Sequence, residues 1–508
     1  MDRRSSMDTG HDHQQEIDPP KQFEVLFPRR TCSHRRKASL VMADEPRIDQ
    51  TDETTACFVH SLIAGEGPMP AKIANFRISK DKSKLEADIV DKSAAGAHDI
   101  AIEEEDENED NENQKQDAYG RAKSPTRDEV QSRHLTKKQL SDMAWNVRNL
   151  SKKLDSIRLK LNVKSIFLVT KAGDESVVDA TRQVARWLLS ADHGQYVVYI
   201  ENKLRVDPEF DYEGLVKDDS SARERLKFWD PKLASEQAHL FDLVIALGGD
   251  GTVLYTSWLF QHIVPPVLSF SLGSLGFLTK FDFNDYQNIL SSAIQDGVLV
   301  SLRLRFECTI MRSNPRDKET PAMKKHRDLV DELIDDETEG TLTHRPDGVV
   351  HILNDIVVDR GPNPTMSSIE LFGGDEHFTT LQADGVCIST PTGSTAYNMA
   401  AGGSLTHPDN PVILITAICA HTLSFRPIIL PDTVVLRVGV PYDARTSSWA
   451  SFDGRQRVEL LPGDYVTVSA SRYPFANVLP HGGKGDDWMR SLSKTLNWNT
   501  RQRQKAMT

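Results

Sequence analysis

Residues 243–254 read LVIALGGDGTVL, and the chemistry begins where the apolar run breaks. Gly248 and Gly249 permit positive φ and keep side chains away from the backbone N–H groups, which is how glycine-rich turns cradle phosphate oxygens. Asp250 adds a carboxylate there, and VLYTSWLFQ reads as a helix whose N-terminus favours an anion. A tight strand-to-helix turn without a ligand accounts for the same residues. Downstream, HILNDIVVDRG sets Asn354 beside Asp355 in an apolar context. An amide and a carboxylate so placed can grip sugar hydroxyls or a base edge, although both residue types also end strands. LQADGVCISTPTGSTAYNMAAGGSLTHP then crowds the hydroxyls of Thr390, Thr392, Ser394, Thr395 and Tyr397 around Pro391 and Gly393. Hydroxyls among small residues suit close backbone approach to an oxygen-rich ligand; the alternative is a Ser/Thr-rich turn.

The elements that must position these residues fall into two kinds. Leu243 to Leu247 reads as a strand buried on both faces, and SIFLVT, VVDATRQVARWLL and QYVVYIE before it alternate strand and helix, the pattern of an α/β domain with a parallel sheet. Asp250 then lies at the carboxyl edge, where such sheets bind ligands, and Gly273 to Gly276 in VPPVLSFSLGSLGFLTKF is expected at the same edge. From about Leu302 the chain gives short β-branched runs between turn residues: LRFECTI, VVHILNDIVVD, SSIELF, GVCIST, PVILITAI, TVVLRVGV and YVTVSA. That is a mostly β domain. The expected organisation is an arm over residues 1–134, an α/β domain over 135–300, a β-rich domain over 301–475 with a surface insertion at 312–348, and a C-terminal helical segment over 476–508. Leu140, Met143, Val147, Leu150 and Leu154 form one helical stripe at the start of the ordered part.

Composition limits the partners. The chain has 508 residues and a net charge of −13, and eight acidic residues stand between Glu103 and Glu112. Residues 1 to about 135 hold too little apolar surface to offset chain entropy, so a disordered arm is expected. Nucleic acid is disfavoured as a partner, since phosphate backbones need a basic surface. Cys32, Cys57, Cys308, Cys387 and Cys419 form no CxxC pair, which suits a reducing compartment. With no apolar leader at the start and no run of 18 apolar residues, a cytoplasmic protein without membrane contact is expected. His11 and His13 lack the further ligands that a zinc site needs.

Taken together, GGDGT (Gly248 to Thr252), SLGSLGFLT, NDIVVDRG, DGVCISTPTGSTAYN, HTLSFRPIILP and SFDGR (Ser451 to Arg455) resemble the ATP-dependent NAD kinases of the eukaryotic, fungal type. The resemblance runs from about Ser165 to the C-terminus. It implies a Rossmann-like α/β domain, a C-terminal β domain and transfer of the ATP γ-phosphoryl to the 2′-hydroxyl of the adenosine ribose of NAD. Asp250 would be the base and orienter of that hydroxyl. Gly251, Asn354 and Asp355 would line the NAD site, with Asp384 near its nicotinamide end. Thr395, Ala396, Tyr397, Asn398, Met399 and Ala400 would enclose the dinucleotide, often across a subunit contact in a homo-oligomer, and Arg455 would join them. Gly248, Gly249, Gly251 and Thr252 would cradle the ATP phosphates. Mg²⁺ would travel with ATP, with no cage built from protein alone. GGDGT also occurs in diacylglycerol- and sphingosine-type lipid kinases, and a dinucleotide-binding regulator without catalysis is the third reading.

Overall fold

Five short apolar runs make the parallel part of the first sheet: β1 (Ser165–Thr170), β2 (Val197–Glu201), β3 (Leu226–Trp229), β4 (Leu243–Gly248) and β5 (Val267–Ser271), in the order β3-β2-β1-β4-β5. Both faces of the inner strands are covered, so their positions are mostly apolar. In β4, Leu243, Ile245 and Leu247 enter one core with Ile166 and Leu168, while Val244 and Ala246 enter another with Phe167 and Val169. The Glu175–Leu189 helix covers the first face through Val177, Val184, Ala185 and Leu188, at helical spacing. The Asp250–Leu259 helix covers the second through Val253 and Leu259. The strand order reverses between β1 and β4, so the crevice at their carboxyl ends is the switch point of the sheet.

The structure is a computed structural model, and it describes residues 131–498 except 155–157, 172–173, 191–194, 218, 274–275, 317–319, 325, 335–342 and 481–485. The expected disordered arm as far as residue 130, with its acidic block, His11, His13, Cys32 and Cys57, lies outside the described residues.

Two six-stranded antiparallel sheets follow. Alternate residues of both, among them Phe306, Cys308, Ile356, Val358, Val386, Ile388, Val466 and Val468, meet in one core. VVHILNDIVVD, a single run in the sequence, is divided between them. His344–Ile352 belongs to one sheet and Asp355–Asp359 to the other, and Leu353-Asn354 makes the crossing.

Three segments differ from the expected organisation. The chain from 476 does not go straight into a helix: Phe475–Leu479 is a strand beside β5 and antiparallel to Leu299–Arg303, and the helix is Asp486–Thr495. Five residues with Asn477 at their centre carry too little periodicity to distinguish strand from loop. Within the charged stretch before β4, LKFW forms β3, which among the described residues is an edge strand paired with β2 and so tolerates the exposed Lys227. The polar insertion is shorter than 312–348, since Arg312 and Ser313 end one strand and residues from His344 begin the next. Its interior is anchored as well. Leu329 is buried, and Arg327 and Glu332 are buried as a pair at 2.7 Å, an arrangement that polarity alone reads as surface.

The Lys137–Leu154 helix spans the two parts. Leu140 joins Val435 and Ala470 of the β part, and Leu150 and Leu154 join the core of the first sheet.

Candidate functional site

Gly248 has φ +149°, and a β-carbon there would run into the side chain of Thr252 and press on Lys171. The turn therefore needs glycine. Gly249 and Gly251 have no other heavy atom near the position of a β-carbon, so their backbone faces open space. Thr252 is buried with its hydroxyl beneath Gly248.

Asp250 opens the helix that follows, and its carboxylate is clamped by the loop after β5. Oδ1 accepts from the backbone N–H groups of Leu278 and Thr279, each at 3.0 Å, and from Thr279 Oγ1 at 3.2 Å. Among the described residues Oδ2 accepts only from Phe277 N–H, at 2.9 Å, so it keeps acceptor capacity. The far end of the helix is held too. Arg305, fully buried, donates to the carbonyls of Phe260 and Gln261, each at 2.8 Å, and of Tyr473 at 2.6 Å, and burial lowers its pKa to about 9. A cation at a helix C-terminus is favourably placed.

The tight turn of SFDGR joins this helix to the Asn354-Asp355 corner. Asp453 and Gly454 have φ of 47° and 64°, and Arg455 N–H donates to the Phe452 carbonyl at 2.9 Å, a geometry that an Asp-Gly hairpin meets well. Facing inward, the Asp453 carboxylate accepts from the N–H groups of Leu353 and Asn354, both at 2.8 Å, and of Asp355 at 3.1 Å. Facing outward, Arg455 donates to the Gly251 carbonyl at 3.0 Å and lies 4.6 Å over the ring of Tyr255.

At the corner itself, Asn354 Oδ1 is shielded from solvent and has no hydrogen-bond partner among the described residues. Native structures rarely leave such an atom unmatched, so it is a place for a ligand donor or a water. Asp355 is buried, and burial, with the Asp453 charge added, raises its pKa to about 7.

The hydroxyl-rich loop is fastened to the same corner. Thr390 Oγ1 donates to the Leu353 carbonyl at 2.6 Å, Thr390 N–H donates to the Asn354 carbonyl at 2.9 Å, and a β-carbon on Gly393 would overlap that carbonyl. Ser394 and Asn398 are wholly buried. Ser394 is bonded to Thr406, while Asn398 accepts from Thr416 Oγ1 at 2.8 Å and donates to Ser394 and Ser404. Both hold the loop in shape. Tyr397 is 48 % exposed, Ala400 is exposed, and Thr395, Ala396 and Met399 are half-buried. These can still meet a ligand.

Two domain families cover the chain where this geometry lies. The ATP-NAD kinase N-terminal domain matches residues 166–298 and the ATP-NAD kinase C-terminal domain matches residues 353–479. An uncharacterised kinase of Schizosaccharomyces pombe is 45% identical over 361 residues, 71% of this chain and 86% of its own length. The chain belongs to the ATP-NAD kinase family. The NAD(+) kinase of Saccharomyces cerevisiae is 42% identical over 370 residues, 73% of this chain and 66% of that protein. The crystal structure of yeast NADH kinase complexed with NADH is similar with a TM-score of 0.53 at 28% identity, over 68% of this chain and 92% of that one. The kinase is an ATP-dependent phosphotransferase of the NAD kinase type, and with both halves matched the lipid-kinase reading falls away.

In the kinase, Asp250, Gly251, Asn354, Asp355 and Arg455 come together around the SFDGR turn. Asp384 does not join them. It lies at the other end of the Gly385–Ser389 strand, which pairs Asp355 with Ser389 and Asp359 with Gly385, so about 17 Å of strand separates Asp384 from the corner. There it forms an ion pair with Arg360 at 3.0 Å. Sequence reasoning placed Gly276 at this edge and Asp453 in a motif but gave neither a role; Asp453 holds the corner and Gly276 makes room for the Asp250 carboxylate. Asp-Gly between two short apolar runs was the signal for Asp453. Among the described residues no three His, Cys, Asp or Glu are grouped as metal ligands would be.

Proposed function

We propose that the kinase transfers the γ-phosphoryl group of ATP to the 2′-hydroxyl of the adenosine ribose of NAD, with Asp250 as the base. The observation that carries this is Asp250 itself, clamped through Oδ1 while Oδ2 retains room for a hydrogen bond from a substrate hydroxyl. The 2′-oxygen forms a bond to the γ-phosphorus, the bond from that phosphorus to the β–γ bridging oxygen breaks, and ADP leaves. The hydroxyl proton passes late to Oδ2, as a loose transition state allows. Asn354 and Asp355 would hold the adenosine end of NAD, with Tyr397 and its neighbours closing over it. Gly248, Gly249 and Gly251 would admit the triphosphate.

Mg²⁺ fits this site. It takes oxygen ligands, and the open backbone over Gly249 and Gly251 leaves room for a triphosphate that carries it. When bound it neutralises phosphate charge. Homo-oligomerisation and action in the cytoplasm belong to the same proposal. Leu423 is 86 % exposed, which suits a contact between copies, and no helix of the described residues is long and apolar enough to cross a membrane.

The test is direct: incubate the purified chain with NAD, ATP and MgCl₂ and separate the nucleotides. NADP and ADP in equal amounts are expected. NAD binding without any 2′-phosphorylated product would leave a dinucleotide-binding regulator instead.

A further inference from the structure

The Asp486–Thr495 helix comes after the Phe475–Leu479 strand, which lies beside β5. Its sequence, DDWMRSLSKT, divides by faces. Trp488 is half-buried and Leu492, one turn on, is buried, while Met489, Arg490 and Lys494 are exposed. A helix that turns Trp and Leu inward at i and i+4 is docked on the body of the protein.

What Trp488 meets is the return of the hydroxyl-rich loop. Its ring stands edge-on to His407, with centroids 5.3 Å apart and planes at 70°, a geometry that aromatic pairs prefer. His407 is also held within its own turn: Nδ1 accepts from the Asp409 N–H at 3.3 Å, and the carbonyl accepts from the Asn410 N–H at 3.0 Å. Its neighbour Thr406 is buried and bonded twice to Ser394. The Thr406 N–H donates to Ser394 Oγ and Ser394 Oγ donates to the Thr406 carbonyl, both at 3.0 Å. Four residues on from Ser394, the Asn398 amide donates to the Ser394 carbonyl at 3.3 Å and to the Ser404 carbonyl at 3.2 Å. A β-carbon on Gly403 would overlap Asn398 Oδ1. Residues 403–406 therefore grip Ser394 and Asn398, and Thr395, Ala396 and Tyr397 stand between those two grips. Trp488 presses on the residue that ends this return.

We propose that Trp488 is a positioning residue for NAD: through His407 and Thr406 it holds the loop of residues 394–400 in the shape that closes over the dinucleotide. The proposal rests on the reading above that this loop binds NAD, and adds the element that sets its shape. A loop without that support spends part of its time in shapes that cannot close, and the apparent dissociation constant rises by the inverse of the competent fraction. The clamp on Asp250 and the Gly248-Gly249 turn are built from other segments, so the effect falls on NAD binding and spares ATP and turnover.

The experiment compares the full chain with Trp488→Ala, Trp488→Phe, His407→Ala and the double variant of Trp488→Ala with His407→Ala. It measures the dissociation constant for NAD by calorimetry, kcat and the KM for ATP with NAD saturating, and the melting temperature. Trp488→Ala and His407→Ala each weaken NAD binding about three- to tenfold. The double variant loses no more than the worse of the two, because both remove one contact. Trp488→Phe keeps a ring against His407 and stays within about twofold of the parent chain, and in every variant kcat and the KM for ATP stay within about twofold. NAD bound equally well by the parent chain and by Trp488→Ala, with only the melting temperature lowered, overturns the proposal, since the helix would then be a cap and nothing more. A KM for ATP that rises as far as NAD affinity falls also overturns it. Should Trp488→Ala fail to fold, His407→Ala decides, and unchanged NAD affinity there overturns the proposal. A parent chain to which NAD does not bind would mean that the reading of the loop itself had failed and would take the proposal with it, a result distinct from each of these.

Discussion

Gly276 lies directly against the carboxylate of Asp250. A β-carbon at Gly276 would overlap Oδ1, Cγ and Oδ2 together, so the loop after β5 can deliver its three backbone N–H groups to Asp250 only because residue 276 has no side chain. The loop and the carboxylate are one unit.

Gly276→Ala therefore separates the loop from Asp250 or turns the carboxylate away. Displacement of about 1 Å at a reacting group can cost about 10²-fold in rate, and a fall in kcat of roughly that size is expected. NAD affinity should move much less, because the Asn354-Asp355 corner is held by Asp453 and not by this loop. Parallel kcat and calorimetric measurements check both halves.

Asp355 makes the kinase sensitive to pH around neutrality. Its pKa is raised to about 7 by burial and the nearby Asp453, above the ordinary carboxylate value of about 3.9. Between those two values the folded protein keeps a proton that the unfolded chain has lost, so stability is greatest on the acid side and declines until pH passes about 7. The difference is on the order of 4 kcal/mol. Asp355→Asn removes the titrating group. The parent chain should lose more melting temperature than the variant between pH 5 and pH 8, and only the parent should show a KM for NAD that changes with a midpoint near 7.

The residues just before the first long helix are structural. Ser132 is wholly buried, and its N–H and Oγ donate to the two oxygens of Glu307 at 2.7 and 3.0 Å. Burial raises the Glu307 carboxyl. Composition alone suggests that a chain begun near Ser132 keeps its activity; the structure moves the safe boundary upstream. Removing residues 1–125 should leave kcat and melting temperature close to those of the full chain. Removing residues 1–136 strands Glu307 without these donors and should cost about 2–4 kcal/mol. Glu307→Gln in the shorter chain should recover part of that loss, as thermal denaturation would show.

How much of this was legible follows from what each residue does. Strands buried on both faces, such as β1 and β4, announce themselves because every position must be apolar. Edge strand β3 does not, since Lys227 faces water. Gly248 and Asp250 stood out because a glycine-rich interruption after an apolar run has few structural uses. Asp453 did not, because its work is to accept three N–H groups from Leu353, Asn354 and Asp355, about a hundred residues earlier, and no local pattern records such a contact. The hydroxyl-rich loop was visible as a unit but not residue by residue: spacing cannot separate Tyr397, which stays half open, from Asn398, whose amide is spent on Ser394, Ser404 and Thr416.

The account stands most directly on Asp250→Asn. The amide keeps one oxygen for Leu278 and Thr279 and places an NH₂ where Oδ2 stood, so the proton acceptor is lost, together with the bond from Phe277 N–H, with little change of shape. The measurement is kcat with NAD and ATP both saturating, beside the dissociation constant for NAD and the melting temperature. The prediction is a fall in kcat of about 10²–10⁴-fold, with NAD affinity within a few-fold of the parent chain and the fold intact. A variant that keeps its kcat and shows only a raised KM would contradict the assignment, since Asp250 would then contribute binding shared by ground state and transition state and would not be the base.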